Sequence, residues 1–366
     1  MRRLLCAVIA LALALLAARP LVAHAQSAPA ALTSALSWMQ SQQQPDGSFP
    51  GFGPGDTADA VMAIVASGTR FDAYDVSPID YLKGEAAAYA ASGVGGAAKL
   101  TLAAIAAGED PTTFGGVNLL AELGKAYDPQ TGQYGSDVYG HALALLAIRA
   151  AGATPPDAAV ARLIDLQLED GGWSFDGTAE TGSDTNTTSM ALQALAGLPD
   201  AADASAAAIA YLKGQQNDDG GFPYSQSSQF GNDSDANSTA SALLALAAVG
   251  EDPEAEEWAP DGNTPIDALI SLQNSSGAFR YQAAQADDNP LATYAAALGL
   301  SGAALPIRTA SVPGAQAAVA PATNLPATGA ADQPIALPAL LLAGLALAGA
   351  GLLLRRLAPH DHEPVA

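Results

Sequence analysis

Gln167-Leu168-Glu169-Asp170-Gly171-Gly172-Trp173 and Gln216-Asn217-Asp218-Asp219-Gly220-Gly221-Phe222 are two copies of one seven-residue anchor. Gln43-Gln44-Pro45-Asp46-Gly47-Ser48-Phe49 repeats it, and Gln273-Asn274-Ser275-Ser276-Gly277-Ala278-Phe279 is a looser copy. Asp128-Pro129-Gln130-Thr131-Gly132-Gln133-Tyr134 keeps the glycine and the aromatic residue but loses the glutamine. The gap between Phe49 and Tyr134 leaves room for one more unit. Residues 71–108 fit it, with their anchor eroded to Gly93-Val94-Gly95-Gly96. Six units of about 46 residues therefore fill residues 31–302, and such a period marks a repeat architecture.

Each unit reads helix, glycine turn, helix. Before the anchor comes an amphipathic stretch such as Val160 to Leu166, apolar at 160, 163, 164 and 166. Ser77-Pro78 and Thr264-Pro265 each place an N-cap before a proline suited to the first helical position. The Asp-Gly-Gly step ends the helix because glycine tolerates φ > 0. A second helix follows, as in Asn186–Leu195 and Asn237–Leu246, where small residues permit close helix approach. These second helices are expected to form an inner ring, and closure of six hairpins leaves no repeat end exposed.

The Q-x-x-D-G-G-[WF] anchor on six helical hairpins resembles the prenyltransferase and squalene-cyclase repeat. That resemblance implies an all-α (α/α)6 toroid over residues 26–304. The 186–195 and 237–246 helices are also similar to the D-T-x-x-M-A-x-x-A-L helix starts of transcobalamin and intrinsic factor, which share that toroid. The superfamily includes cyclases, transferases and vitamin carriers, so the fold does not select a chemistry.

Composition removes several chemistries. The chain has 366 residues, 14 Lys+Arg against 37 Asp+Glu, and a net charge of −23. Nucleic acid is excluded as a main partner, because its binders need a basic footprint. The single cysteine, Cys6, lies in the N-terminal leader, and His141 is the only histidine between residues 26 and 324. The zinc site implied by a protein prenyltransferase needs several N/S ligands, so no metal or other cofactor is expected. The D-x-D-D acid motif implied by a squalene cyclase is absent.

The two ends read as addresses. Residues 1–25 combine Arg2-Arg3, an apolar run and Ala23-His24-Ala25, the pattern of a secretory signal peptide. Residues 305–324 are rich in Pro, Ala and Thr and read as an extended stalk. Residues 325–366 follow, with Leu325-Pro326-Ala327-Thr328-Gly329, an apolar span at 335–354, and Arg355-Arg356. The span is long enough to cross a bilayer, and the arginines favour a cytoplasmic end. This order resembles a Gram-positive cell-wall sorting signal, which implies a sortase that joins Thr328 to the wall. A plain single-pass anchor is the alternative. Both place the ring outside the cell.

The site candidates cluster where the inner helices begin: Asp56, Asp59, Asp137, Tyr139, His141, Asp184, Asn186, Asp235 and Asn237. Tyr224 and Tyr281, the second members of turn aromatic pairs, and Asp288 join them. Asp and Asn are also preferred helix caps, so an ordinary capping role competes for each. The expected role is binding of a small or medium extracellular molecule, for which the vitamin-carrier resemblance implies a corrinoid. The alternatives are a terpene-cyclase- or prenyltransferase-like or glycan-active enzyme, and a non-catalytic spacer or adhesin. A deep cavity lined by aromatics and one desolvated carboxylate marks the enzyme, whereas a ring plugged by Ala and Leu marks the spacer.

Overall fold

The computed structural model describes residues 27–229 and 231–307. The signal peptide, the stalk beyond Ile307, the LPATG motif and the apolar span fall outside the described residues. Among the described residues no helix is long and apolar enough to cross a membrane.

The first half of the ring holds α1 (Ala28–Gln42), α2 (Pro54–Ala66), α3 (Pro78–Ala90), α4 (Val94–Ala106), α5 (Leu119–Lys125) and α6 (Val138–Ala150). The second half holds α7 (Asp157–Asp165), α8 (Thr185–Leu195), α9 (Ala202–Gln215), α10 (Ala236–Val249), α11 (Pro265–Ser271) and α12 (Pro290–Leu300). The even-numbered helices contact one another in sequence, and α12 returns to α2. This is a closed inner ring, with the odd-numbered helices packed outside it. Each outer helix leans on the inner helix that precedes it, and α1 leans on α12. A short antiparallel pair, β1 (Tyr127–Asp128) with β2 (Gln133–Tyr134), forms the third anchor.

Burial follows position in the ring. Every residue of α8 is buried, because it has outer, lateral and luminal neighbours. In α7 only Ala159 and Leu163 are buried, the single stripe of a surface helix.

The anchor residues join neighbouring units. Gln167 Nε2 donates to Gly171 O and to Ala204 O, both at 2.8 Å, so one amide holds its own turn and the next outer helix. Gln216 likewise joins its turn at Gly220 to Trp258, and Gln43 joins Gly47 to Val76, in the segments that lead into α11 and α3. Gln273 Nε2 donates to Gly277 O and to Ala31 O, both at 2.8 Å, and thereby links the last unit to the first. Gly171 has φ +86°, and a Cβ there would sit 2.6 Å from Ala207 O. It serves both as a left-handed residue and as the point of closest approach.

The anchor aromatics are buried, and their amides are met by the fourth residue of the following inner helix. Phe49 N donates to Thr57 Oγ1, Trp173 N to Thr188 Oγ1, Phe222 N to Thr239 Oγ1 and Phe279 N to Thr293 Oγ1, at 2.9–3.0 Å. In the third unit Tyr134 N donates instead to His141 Nδ1 at 3.0 Å.

Candidate functional site

Six helices packed at about 9 Å between axes, each about 10 Å wide with its side chains, leave a bore some 8 Å across. Here the inner faces leave a cavity of about 680 Å³. All inner helices start at the same rim, so depth follows position along each helix. Nearest that rim the wall presents Asp56, Tyr139, Asn186 and Asn237. One turn deeper Asp59 and Lys99 stand level with Leu143 and Met190, and a further turn in the wall is Met62, Leu102, Leu244 and Leu298, with the polar Gln193 among them. Leu305, just beyond the end of α12, joins the apolar end. Leu305 and Ile307 are buried, so packed chain extends three residues into the range expected to be stalk.

The charged part lies on α2 and α4. Lys99 Nζ is 2.8 Å from Asp59 Oδ2, with side chains 24 % and 34 % exposed towards the cavity. That exposure is into an enclosed bore, so burial still acts on both groups. Burial raises the pKa of Asp59 against the opposing Lys99 charge. Burial alone would lower that of Lys99, but Asp59, Tyr89 and Tyr139 outweigh it and the net shift is upward. Both groups remain charged as a pair. Asp56 uses its carboxylate to accept from Phe52 N and Gly53 N, folding the Gly51–Gly55 loop at the mouth. Phe52 is 74 % exposed there.

The amide part lies on α8 and α10. Asn186 and Asn237 each occupy the second position of their helix, 8 % and 7 % exposed, and line the cavity. Gln193, two turns deeper on α8, is 2 % exposed and also lines it. Asn186 Oδ1, Asn237 Oδ1 and Gln193 Oε1 are buried without a hydrogen-bond partner among the described residues.

The remaining candidates lie elsewhere. Asp137, Asp184 and Asp235 are N-caps of α6, α8 and α10, accepting from Gly140 N, Thr187 N and Ser238 N. Burial pushes Asp184 and Asp235 each up to about 6, against the hydrogen bonds of their own helix starts. Tyr224 and Tyr281 face cap carboxylates rather than the cavity. Their carbonyls accept from Thr185 N and Ala236 N, so they bind the next turn to the preceding inner helix. Asp288 is exposed and ties its loop through Asn274 and Ser276. His141 is fully buried, with Nδ1 accepting from Tyr134 and Nε2 against Ala159 O at 3.0 Å. The ring is thus neutral with Nε2 protonated, and burial holds its pKa down to about 4. Both nitrogens are used by the fold, which corrects its candidacy as a ligand contact.

Of the twelve candidates, the cavity gathers Asp56, Asp59, Tyr139, Asn186 and Asn237. Sequence reading missed Lys99, Gln193, Phe52, Tyr89 and Tyr294. Lys99 carried a signal, being the only charged residue in the otherwise apolar Val94–Ala106 helix. Among the described residues no group of three or more His, Cys, Asp or Glu side chains converges to hold a metal.

Residues 139–222 and 188–303 match the family model of the prenyltransferase alpha-alpha toroid domain. Among solved structures, a protein from Actinoplanes is similar at 16 % identity and a TM-score of 0.53, covering 75 % of this chain and 98 % of that one. A type II terpene cyclase, MstE from Scytonema, is similar at 13 % identity and a TM-score of 0.53, covering 74 % and 96 %. A glycosidase variant in complex with glucose is similar at 13 % identity and a TM-score of 0.51, covering 75 % and 95 %. At these identities the likeness is one of fold. No curated protein matches the sequence.

Proposed function

We propose, from the premise that this chain carries the alpha-alpha toroid of the prenyltransferase and squalene-cyclase superfamily, that the ring binds a small amphiphilic molecule in its bore. The observation that carries this reading is the cavity itself, with its charged and polar groups concentrated towards one rim and a mainly apolar wall beyond, broken by Gln193. Its volume of about 680 Å³ suits a drug-sized ligand, with the apolar wall supplying affinity and a few polar groups fixing orientation. The burial of Asp184 and Asp235 favours a ligand seated inside the bore over a corrinoid lying across the rim. With the export and sorting signals read from the sequence, the ring acts at the cell surface, processed by sortase at Thr328.

Native mass spectrometry of the protein purified from its own host tests this. A retained molecule is expected, and Leu143→Trp, which fills the bore, should release it. The reading is overturned if both proteins are empty and neither binds the neutral dye N-phenyl-1-naphthylamine.

One observation favours a second reading, proton-transfer catalysis on a bound isoprenoid or glycan: Asp59 is a desolvated carboxyl in a cavity that tyrosines also line. The Lys99 ammonium holds Asp59 as a carboxylate, so an acid role requires that contact to open. Conversion of the retained molecule to a product of different structure, abolished by Asp59→Asn, would establish catalysis over binding.

A further inference from the structure

One position of every inner helix sets the middle of the bore. The sixth residues of α2, α4, α6, α8, α10 and α12 are Asp59, Lys99, Leu143, Met190, Ser241 and Ala295, and all line the cavity. In that ring order α8 stands opposite α2 and α10 opposite α4. The Asp59–Lys99 pair therefore faces the amide wall of Asn186, Asn237 and Gln193, whose unpaired oxygens are sealed within the wall. On the pair's own level Ala295, on the helix next to Asp59, and Ser241, across the bore, are small and leave room beside the two charges.

Unlike the amides, the pair is open to the bore and its bonding is incomplete. Lys99 Nζ carries three N–H donors, and among the described residues only Asp59 Oδ2 accepts from it, at 2.8 Å. Asp59 Oδ1 has no hydrogen-bond partner among the described residues and, in contrast to the amide oxygens, is not sealed. The hydroxyls of Tyr89 and Tyr139 share that state: both side chains line the cavity, and both feel the Lys99 and Asp59 charges. Tyr89 comes from the outer helix α3 and passes through the space that Gly55 leaves. A Cβ on Gly55 would stand 2.3 Å from Tyr89 Oη and 3.6 Å from Lys99 Cδ.

A head group of one charge can use only half of these valences. A carboxylate accepts from Lys99 but is repelled by Asp59, and an ammonium donates to Asp59 but is repelled by Lys99. Adjacent hydroxyls serve both: one donates to Asp59 Oδ1 while the other accepts from Lys99 Nζ, and the contact between the two charges stays intact. Hydrogen bonds to ionised partners are the strong ones. An attached apolar tail then runs into the deeper wall of Met62, Leu102, Leu244 and Leu298.

We propose that the Asp59–Lys99 pair is the head-group subsite of the bore and selects apolar molecules with a vicinal diol or larger polyol head over single-hydroxyl, anionic and cationic ones. This rests on the reading of the bore as a ligand site.

The test is competition against N-phenyl-1-naphthylamine on the intact protein. The competitors are 1,2-decanediol, 1,10-decanediol, 1-decanol, decanoate and decylammonium, each below its aggregation limit. The two diols have the same atoms and differ only in where the hydroxyls sit. 1,2-Decanediol should displace the dye at concentrations at least about tenfold lower than each of the others. Transfer into an apolar cavity alone favours decanol, so hydrophobicity does not produce that order. In Asp59→Leu/Lys99→Met, which keeps this layer filled but uncharged, the two diols should compete within about twofold of each other. An advantage of 1,2-decanediol below about threefold in the unsubstituted protein overturns the proposal and leaves the cavity reading intact. Decanoate or decylammonium as the strongest competitor overturns it too, as does an advantage that survives in the double variant. If the dye does not bind, and none of the five ligands stabilises the protein to heat, both readings fail together. The comparison of ligands on the unsubstituted protein decides the matter even if the variant does not fold.

Discussion

Lys99 Nζ and Asp59 Oδ2 meet at 2.8 Å inside the bore and tie α4 to α2. Breaking a buried pair costs more than the pair contributes, because one charge is stranded. Lys99→Met should destabilise the ring by about 1–3 kcal/mol, a value discounted for the cavity-facing exposure of both groups. Asp59→Asn/Lys99→Met should recover most of that loss. Urea unfolding of the three proteins checks it, and a double variant no better than the single would contradict the account.

His141 supplies a pH signature. Its folded pKa, about 4, lies below the ordinary imidazole value of 6.5, so the unfolded chain takes up the proton first. Stability from this group is complete above pH 6.5 and is lost as pH falls towards 4. The shift corresponds to about 3 kcal/mol. His141→Gln should therefore be most harmful near pH 7, and its penalty should shrink by about that amount at pH 4. A penalty independent of pH would show that the imidazole does not resist protonation.

Asp184 and Asp235 act in the opposite sense. Their folded values, about 6, lie above the ordinary aspartate range, so the folded state holds protons that the unfolded chain has released. Stability is lost as pH rises from about 4 to about 6 through this window. Asp235→Asn should flatten that part of the stability profile while preserving an acceptor for the Ser238 amide. An unchanged slope in urea midpoints measured across the window would refute it.

One amide adds to the helix packing that closes the ring. Gln273→Ala removes the bonds to Ala31 and Gly277 and should cost about 2 kcal/mol. Gln44→Ala loses only a local bond to Gln42 on the surface and should change stability by less than about 0.5 kcal/mol. Equal urea midpoints for the two variants would remove closure from the list of stabilising features.

Glycines of similar φ differ by what stands beside them. Gly171→Ala meets Ala207 O at 2.6 Å in addition to its left-handed backbone, whereas Gly68 at φ +78° has nothing within 4 Å. The first substitution should cost about 3 kcal/mol or more and the second about 1 kcal/mol. Thermal unfolding of both proteins decides it.

The fold was legible because its signals are local and repeated. A proline or N-cap opens helices such as α3 and α11, a glycine anchor closes the outer ones, and the phrase recurs often enough to survive erosion at Gly93. The role of the fourth inner-helix residue was not legible. Thr188 and His141 look unrelated until both are seen to accept from the amide of a buried anchor aromatic. Rim carboxylates misled for the same reason that made them conspicuous: Asp184 and Asp235 cap helices, and a cap carboxylate turns towards its own backbone.

By itself the sequence determined a ring of six helical hairpins, an acidic chain without the cysteine and histidine set for zinc, and a cluster of polar residues at the inner helix starts. These follow from periodicity, backbone conformational limits and residue counts, which act over a few positions. Tertiary structure decided which of those polar residues face the bore, because that depends on the rotation of each helix about its axis within the closed ring. Asn186 faces in and Asp184 is held under Tyr224, two residues apart on one helix start. Closure also set Lys99 against Asp59 and both opposite the amide wall, a juxtaposition that spans the ring and has no counterpart along the chain.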